Sequence, residues 1–434
     1  MPSPHSAVHA VHPMHPNRRR FLNLLQAGTA GALLNAHAPG WAQAVAQRAS
    51  SVRDRVLILV ELKGGNDGLN TVVPFADPAY HPLRSNIAIG PQEVLRLDGK
   101  TGLHPALAPI MPLWEKNELA VVQGLGYPQA NLSHFRSIEI WESASNATEY
   151  LQQGWVDRAL KNGLSAQGPF GTEGVVIGAS DLGPLAGARA VLLNNPQAFV
   201  NQAQRNNLGT SPATNPAANM PTNVATNQMP SIPNGNAALQ HVLRVESDIG
   251  SAAQSLQGEP HAFTTVFPQH PFGNRVRVAA QVVASQKNRG GVPVIILSLG
   301  SFDTHQNQLA THANLLRQLA EGLAALHSAL QEINAWDRTL VMTYSEFGRR
   351  ARQNQSGGTD HGTAAPHFVT GGVVRGGLYG KAPDLNLLDS QQNLVHSLDF
   401  RSLYATVASQ WWGVAPAPVV RGQFDLIPFL KGFA

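Results

Sequence analysis

The sequence contains no cysteine. Thiolate metal ligands, cysteine nucleophiles and disulfides are therefore excluded, and any metal site must draw on His, Asp, Glu and hydroxyl groups. Charge is also sparse: Asp, Glu, Lys and Arg make up 13% of the 434 residues, where soluble domains average about a quarter. No run of basic residues outside the N-terminus could track a phosphate backbone, so nucleic acid is not an expected partner. No apolar stretch after the N-terminal region approaches the roughly eighteen residues that a membrane helix needs, and no stable span is expected in the mature form.

The N-terminal region lacks something more specific, because Met1 to Ala44 holds no Asp, Glu or Lys. Its strong charges are Arg18, Arg19 and Arg20, followed by Phe21-Leu22 and an apolar stretch to Leu34 rich in Ala, Gly and Leu. That order is a twin-arginine export signal, too short and Gly-rich to remain as a span. Ala36-His37-Ala38 and Ala42-Gln43-Ala44 are both acceptable cleavage sites, placing the cut near 38 or 44. His5, His9, His12 and His15 fall in the segment to be removed and are not counted as ligands. Loss of the three arginines lowers the formal charge from +4 to about +1. The expectation is a bacterial periplasmic or otherwise exported protein whose partner during export is the twin-arginine translocase.

The rest, 45–434, is expected to form a single α/β domain. Arg55 to Leu62, Leu119 to Leu125, Val292 to Leu299 and Thr339 to Tyr344 are short β-branched runs of buried-strand character. Between the last two, Leu309, Leu316, Leu319, Leu323, Leu326, Leu330 and Ile333 recur at helical spacing. Strand, long helix and strand make a βαβ unit, which predicts a mostly parallel central sheet flanked by helices. A second helix is expected after Ser133, with Phe135, Ile138 and Trp141 on one side, and a third from Phe400 to Trp412. From about 201 to 236 the chain is rich in Asn, Pro, Ala, Thr and Gln, too poor in large apolar groups to order itself; it is expected to be a flexible insertion.

Each core strand is followed by a polar cluster in a Gly-rich turn: Gly64-Gly65-Asn66-Asp67-Gly68, Asn131-Leu132-Ser133-His134-Phe135, Gly300 to His305, and Ser345-Glu346-Phe347-Gly348-Arg349. A fifth is Gly358-Thr359-Asp360-His361-Gly362. Ligands of open α/β sheets bind at the carboxyl ends of strands, where all five could meet. Carboxylates and imidazoles without cysteine suit a divalent cation such as zinc, manganese or magnesium. Asp303 and His305, two apart, can reach one face of an extended loop. Ser133 lies at a helix N-cap, Glu346 is a candidate ion-pair partner of Arg349 or Arg350, and His104 and His367 are expected to be structural.

These blocks, with Gly376-Gly377-Leu378-Tyr379-Gly380 and Asp399-Phe400-Arg401, resemble the signatures of the domain of unknown function 1501 family, which sits within the alkaline phosphatase-like and sulfatase-like superfamily. The resemblance runs from about Arg55 to Gly413. It implies an alkaline phosphatase-like fold and a metal-dependent hydrolase acting on a small-molecule phosphate or sulfate ester, or a periplasmic binding or assembly protein that keeps the scaffold without turnover. It implies metal ligands at Asp67 (with Asn66 as rival), Asp303, His305, Glu346, Asp360 and His361. Ser133 would be the nucleophile and Arg349 an oxyanion clamp. Two departures stand out. Phe347 replaces a usual second metal-binding histidine, and Asp303 and His305 are closer together than is common.

Overall fold

The computed structural model describes residues 52–165, 170, 172–193, 261–285 and 291–432. The export signal at 1–44 and the low-complexity stretch at about 201–236 lie outside the described residues. The run VLILVEL becomes β1 (Val56–Leu62), every residue of it buried. A strand apolar on both faces needs cover on both, and the main sheet, nine-stranded among the described residues, supplies that setting. In chain order its further members are β5 (Leu119–Gly126), β6 (Gly174–Ile177), β7 (Ala190–Leu193), β8 (Val294–Leu299), β9 (Thr339–Tyr344), β12 (Ala365–Thr370), β13 (Gly377–Gly380) and β14 (Leu398–Asp399). Across the sheet the order is β13-β5-β12-β9-β1-β8-β6-β7, with β14 beside β5. Strand β12 runs antiparallel to both neighbours, and the other pairings are parallel. Strands β2 (Val72–Val73), β3 (Leu95–Arg96) and β4 (Gly102–Leu103) form a small second sheet, while β10 (Gly348–Gln353) and β11 (Thr359–Gly362) form a hairpin.

Five helices matter for the site: α1 (His134–Ser143), α2 (Trp155–Ala159), α3 (Pro271–Ser285), α4 (Gln308–Glu332) and α5 (Phe400–Thr406). Alternation along β1 sends Ile58 and Val60 to one face, into a core with Phe272 and Val276 of α3 and Leu316, Leu319 and Leu323 of α4. Leu57 and Leu59 face the other way, against Trp141 of α1, Trp155 of α2 and Tyr404 of α5. Each fully buried side chain of this kind contributes about 1.5–3 kcal/mol before entropy is counted. The expected βαβ unit is present as β8-α4-β9, but β1 lies between its two strands, so the helix crosses over β1.

The expected strands are found within two residues of their sequence limits. Helix α1 differs in rotation. Phe135, expected beside Ile138 and Trp141, is 85% exposed, and the buried face carries Arg136, Ser137, Ile140 and Trp141. The cause is polar: the Ser137 hydroxyl donates to the Glu346 carbonyl and His134 turns toward the Glu346 carboxylate. The third helix is regular only to Thr406 and continues as a wider turn over Val407–Trp411. Among the described residues no helix is long and apolar enough to cross a membrane.

Candidate metal centre

Because β5, β1, β8 and β9 run in one direction, the turns that follow them share one edge of the sheet. Two glycines let the turns close together. Gly64 has φ +118°, and a Cβ there would sit 2.4 Å from the Asp303 backbone nitrogen. Gly65 has φ +79°, and its Cβ would lie 2.3 Å from the Phe347 ring. Any other residue would be strained and would push these loops apart. The β10–β11 hairpin sets Arg349 opposite His361, so both side chains face the same way.

Four side chains meet at this edge. His134, Asp303 and His361 each offer a ligand atom, all within 4.8 Å of one another. His305 Nε2 lies 3.0 Å from His361 Nε2 and 3.1 Å from Asp303 Oδ1, and His361 Nε2 lies 3.2 Å from the same oxygen. On the far side of that carboxylate, Oδ2 is 3.4 Å from His134 Nε2. The other nitrogen of each ring has an acceptor: His134 Nδ1 meets Glu346 Oε1 at 2.9 Å, His305 Nδ1 meets Asp360 Oδ1 at 3.3 Å, and His361 Nδ1 meets the Leu132 carbonyl at 2.8 Å. With a proton assigned to each Nδ1 by these partners, each neutral ring presents a bare Nε2 toward Asp303.

Lone pairs of His305, His361 and Asp303 thus face one another across 3.0–3.2 Å, an arrangement that only a cation or added protons reconcile. A tetrahedral zinc with bonds of about 2.0–2.1 Å requires ligand atoms roughly 3.3 Å apart, close to the three edges observed. Backing of each imidazole by a carboxylate or carbonyl is also the usual support of a metal-bound histidine. The residues therefore fit a divalent ion of the zinc class. Asp303 and His305 are 44% and 43% exposed, so an incoming molecule can reach the centre.

The electrostatics agree. Burial alone would raise the Asp303 carboxyl, but the hydrogen bond and charge of Arg349, with His305 and His361, hold it down to about 2. Hydrogen bonding to Glu346 raises His134 above the ordinary histidine range against the effect of burial. Burial lowers His361. The Asn354 hydrogen bond, outweighing burial and joined by His305, keeps Asp360 below the usual carboxylate value. Burial pushes Glu346 up, yet His134 and the backbone N–H groups of Glu346 and Gly64 bring it below its ordinary value.

The other residues singled out from the sequence have distinct places. Glu346 and Asp360 stand behind His134 and His305. Asp67 is in a buried network, paired through Oδ2 with Arg84 and accepting from Gln308, while Oδ1 has no partner within the protein. Asn66 joins that network by accepting from His312 at 2.9 Å. Gln308 links it to the centre, accepting from Thr304 and Thr359 at 3.1 and 2.6 Å. Ser133 is the exposed N-cap of α1, and its hydroxyl makes no capping bond. Arg349 pairs with Asp303 rather than Glu346, and its side chain is fully buried. Phe347 lies 4.9 and 4.5 Å, ring to ring, from His134 and His361 and forms an apolar wall. His104 caps a helical turn and His367 is buried in β12.

His134 is the residue of the cluster that was not singled out from the sequence; its signal was a histidine directly beside Ser133 in the turn after a strand. Arg84, Gln308 and His312 carry no such signal, for none lies in the five turn clusters.

A family model described as "Protein of unknown function (DUF1501)" matches residues 120–415. The chain belongs to the DUF1501 family. No curated protein matches it. Among solved structures, this DUF1501 chain is similar to the lipoteichoic acid synthase LtaP from Listeria monocytogenes, at 10% identity over 87% of this chain and 80% of that one, with a TM-score of 0.37. It is similar to the sulfatase PsFucS1 from Pseudoalteromonas sp., at 11% identity over 90% and 75%, with a TM-score of 0.37. It is also similar to the zinc complex of the C-terminal periplasmic domain of EcEptC from Escherichia coli, at 11% identity over 73% of each chain, with a TM-score of 0.32.

Proposed function

We propose that this protein is an exported, metal-dependent hydrolase of phosphate or sulfate esters, with three of the side chains His134, Asp303, His305 and His361 holding a zinc-class ion and its fourth position open to the ester. The observation that carries this reading is the convergence of three backed imidazoles on one exposed carboxylate. A divalent ion bound there would supply Lewis-acid stabilisation of charge on an ester's oxygens. Ser133 supplies the attacking hydroxyl: its oxygen is exposed, free of capping duty and adjacent to His134. Glu346 and Asp360 orient rings, and Phe347 excludes water from one side. Arg349, with its donors already engaged, holds Asp303 instead of clamping an oxyanion. The twin-arginine translocase would carry the chain out already folded.

The same donor set supports one rival reading. If all four side chains bind one ion, no position stays open and the centre belongs to a binding or assembly protein. Metal analysis of the purified mature protein, with assays on aryl phosphate and sulfate esters, separates the two. Turnover that disappears in Ser133→Ala and Asp303→Asn is expected. Absence of any bound divalent metal, with Ser133→Ala matching wild type in every assay, would rule out the hydrolase.

A further inference from the structure

Two arginines are buried completely at this end of the molecule, and they are wired alike. Arg84 donates through Nε to the Ala351 carbonyl at 2.9 Å, through Nη1 to Asp67 and Asn70, and through Nη2 to the Arg350 carbonyl at 2.9 Å. Arg349 donates through Nε to the Gly65 carbonyl at 2.7 Å and through Nη1 to the Thr359 carbonyl at 2.9 Å. Its Nη2 reaches the Gly64 carbonyl, the Phe302 carbonyl at 3.2 Å and Asp303 Oδ1 at 2.6 Å. Each guanidinium is held by carbonyls and one carboxylate; only the Arg349 carboxylate belongs to the metal centre.

We infer that Arg349 is a positioning residue that presents Asp303 to the metal, an inference that rests on the metal-binding reading above. Its fork spans three segments that build the centre. Gly64 also donates its N–H to Glu346, which backs His134; Phe302 precedes Asp303; and Thr359 leads into Asp360 and His361. One planar group thus fixes the separation of the turns after β1 and β8 and of strand β11. The contact at Asp303 Oδ1 turns Oδ2 toward His134. A lysine keeps the charge, but a single ammonium cannot hold acceptors spread over the guanidinium fork. Arg84 does the same tying for Asp67, away from the centre, and is the natural control.

The test is zinc affinity by chelator competition on wild type, Arg349→Lys, Arg84→Lys, Asp303→Ala and the Arg349→Lys/Asp303→Ala double variant, with apo stability measured for each. Arg349→Lys is expected to weaken zinc binding about 10- to 100-fold, the range for groups behind a metal ligand, while Arg84→Lys stays within about threefold of wild type. If Arg349 acts through Asp303, the double variant binds no more weakly than Asp303→Ala alone. Wild-type affinity in Arg349→Lys, equal losses in the two arginine variants, or additive losses in the double variant would each overturn the inference. Failure of wild type to bind zinc would instead remove the metal-binding reading, and the inference with it. Should Arg349→Lys not fold, 15N-arginine-labelled wild type decides: a slowly exchanging Arg349 Nη2–H signal, the group that donates to Asp303, is expected to persist at zinc saturation, and its loss would overturn the proposal.

Discussion

Two groups of Asp, His and Arg side chains lie at the carboxyl edge of the sheet, and their burial separates their uses. In the centre, three imidazoles aim bare nitrogens at a half-exposed carboxylate, and little within the protein satisfies them. In the network around Asp67, Arg84, Gln308, Asn66 and His312, nearly every polar atom has an internal partner and the side chains are buried. There the burial of Asp67 opposes ionisation, and the charge and hydrogen bond of Arg84, with His312 and Gln308, outweigh it. The lesson is that residue type does not mark a ligand. Unspent coordination capacity facing solvent does, whereas matched pairs in the interior specify the shape of the loops above them.

The largest test of that contrast is Arg84→Met, which leaves Asp67 buried without its counter-charge. A loss of about 3–5 kcal/mol is expected in urea unfolding; a loss under about 1 kcal/mol would show the network to be dispensable. Next comes acid. Burial lowers His312 to about 3, the Asp67 charge opposing and those of His104, Arg84 and Arg349 adding to the effect. Its unfolded form titrates near 6.5, so the unfolded chain binds the proton first. The stability it preserves is complete above pH 6.5 and declines as pH falls toward 3, by about 3 kcal/mol at pH 4. In His312→Gln, which keeps a donor toward Asn66, denaturation curves across this window should be flatter than in wild type; parallel curves would contradict the assignment.

Smaller effects on stability belong to the centre. His305→Ala should change apo stability by no more than about 1 kcal/mol, as exposed pairs do, yet weaken zinc binding more than 100-fold, beyond the range of about 10–100 for groups behind a ligand. A variant that binds zinc normally would take His305 out of the coordination set. Smallest of all, Ser133→Ala should leave stability within about 0.5 kcal/mol and zinc affinity unchanged, with ester turnover alone abolished; a lowered melting temperature would return Ser133 to a capping role.

Much of the fold was legible because its signals are local. VLILVEL and TLVMTY have too many β-branched and apolar neighbours to be anything but interior strands, and the leucine spacing through 309–333 marks α4 almost to the residue. The turn clusters were legible for a related reason: a parallel sheet sends its strand ends to one edge, which brings Asp303 and His305, after β8, beside the turns after β1 and β9, whereas His361 arrives there through the antiparallel β10–β11 hairpin. Less could be read for helix α1. Its rotation is set by Ser137 and His134 bonding to Glu346, more than 200 positions along the chain, and no local pattern reports that.

By itself, then, the sequence determined the layered α/β plan, the edge at which chemistry is possible, and the ligand types available in a chain without cysteine. Tertiary structure decided how each candidate is used. It turned His134 into the centre, moved Asp67 into a network with Arg84, placed Glu346 and Asp360 behind their histidines, and committed Arg349 to carbonyls and Asp303. The physical reason is that strand and helix formation depend on neighbours in sequence. Coordination and ion pairing depend on which desolvated groups meet across the fold, and each such group takes the partner that best compensates its burial.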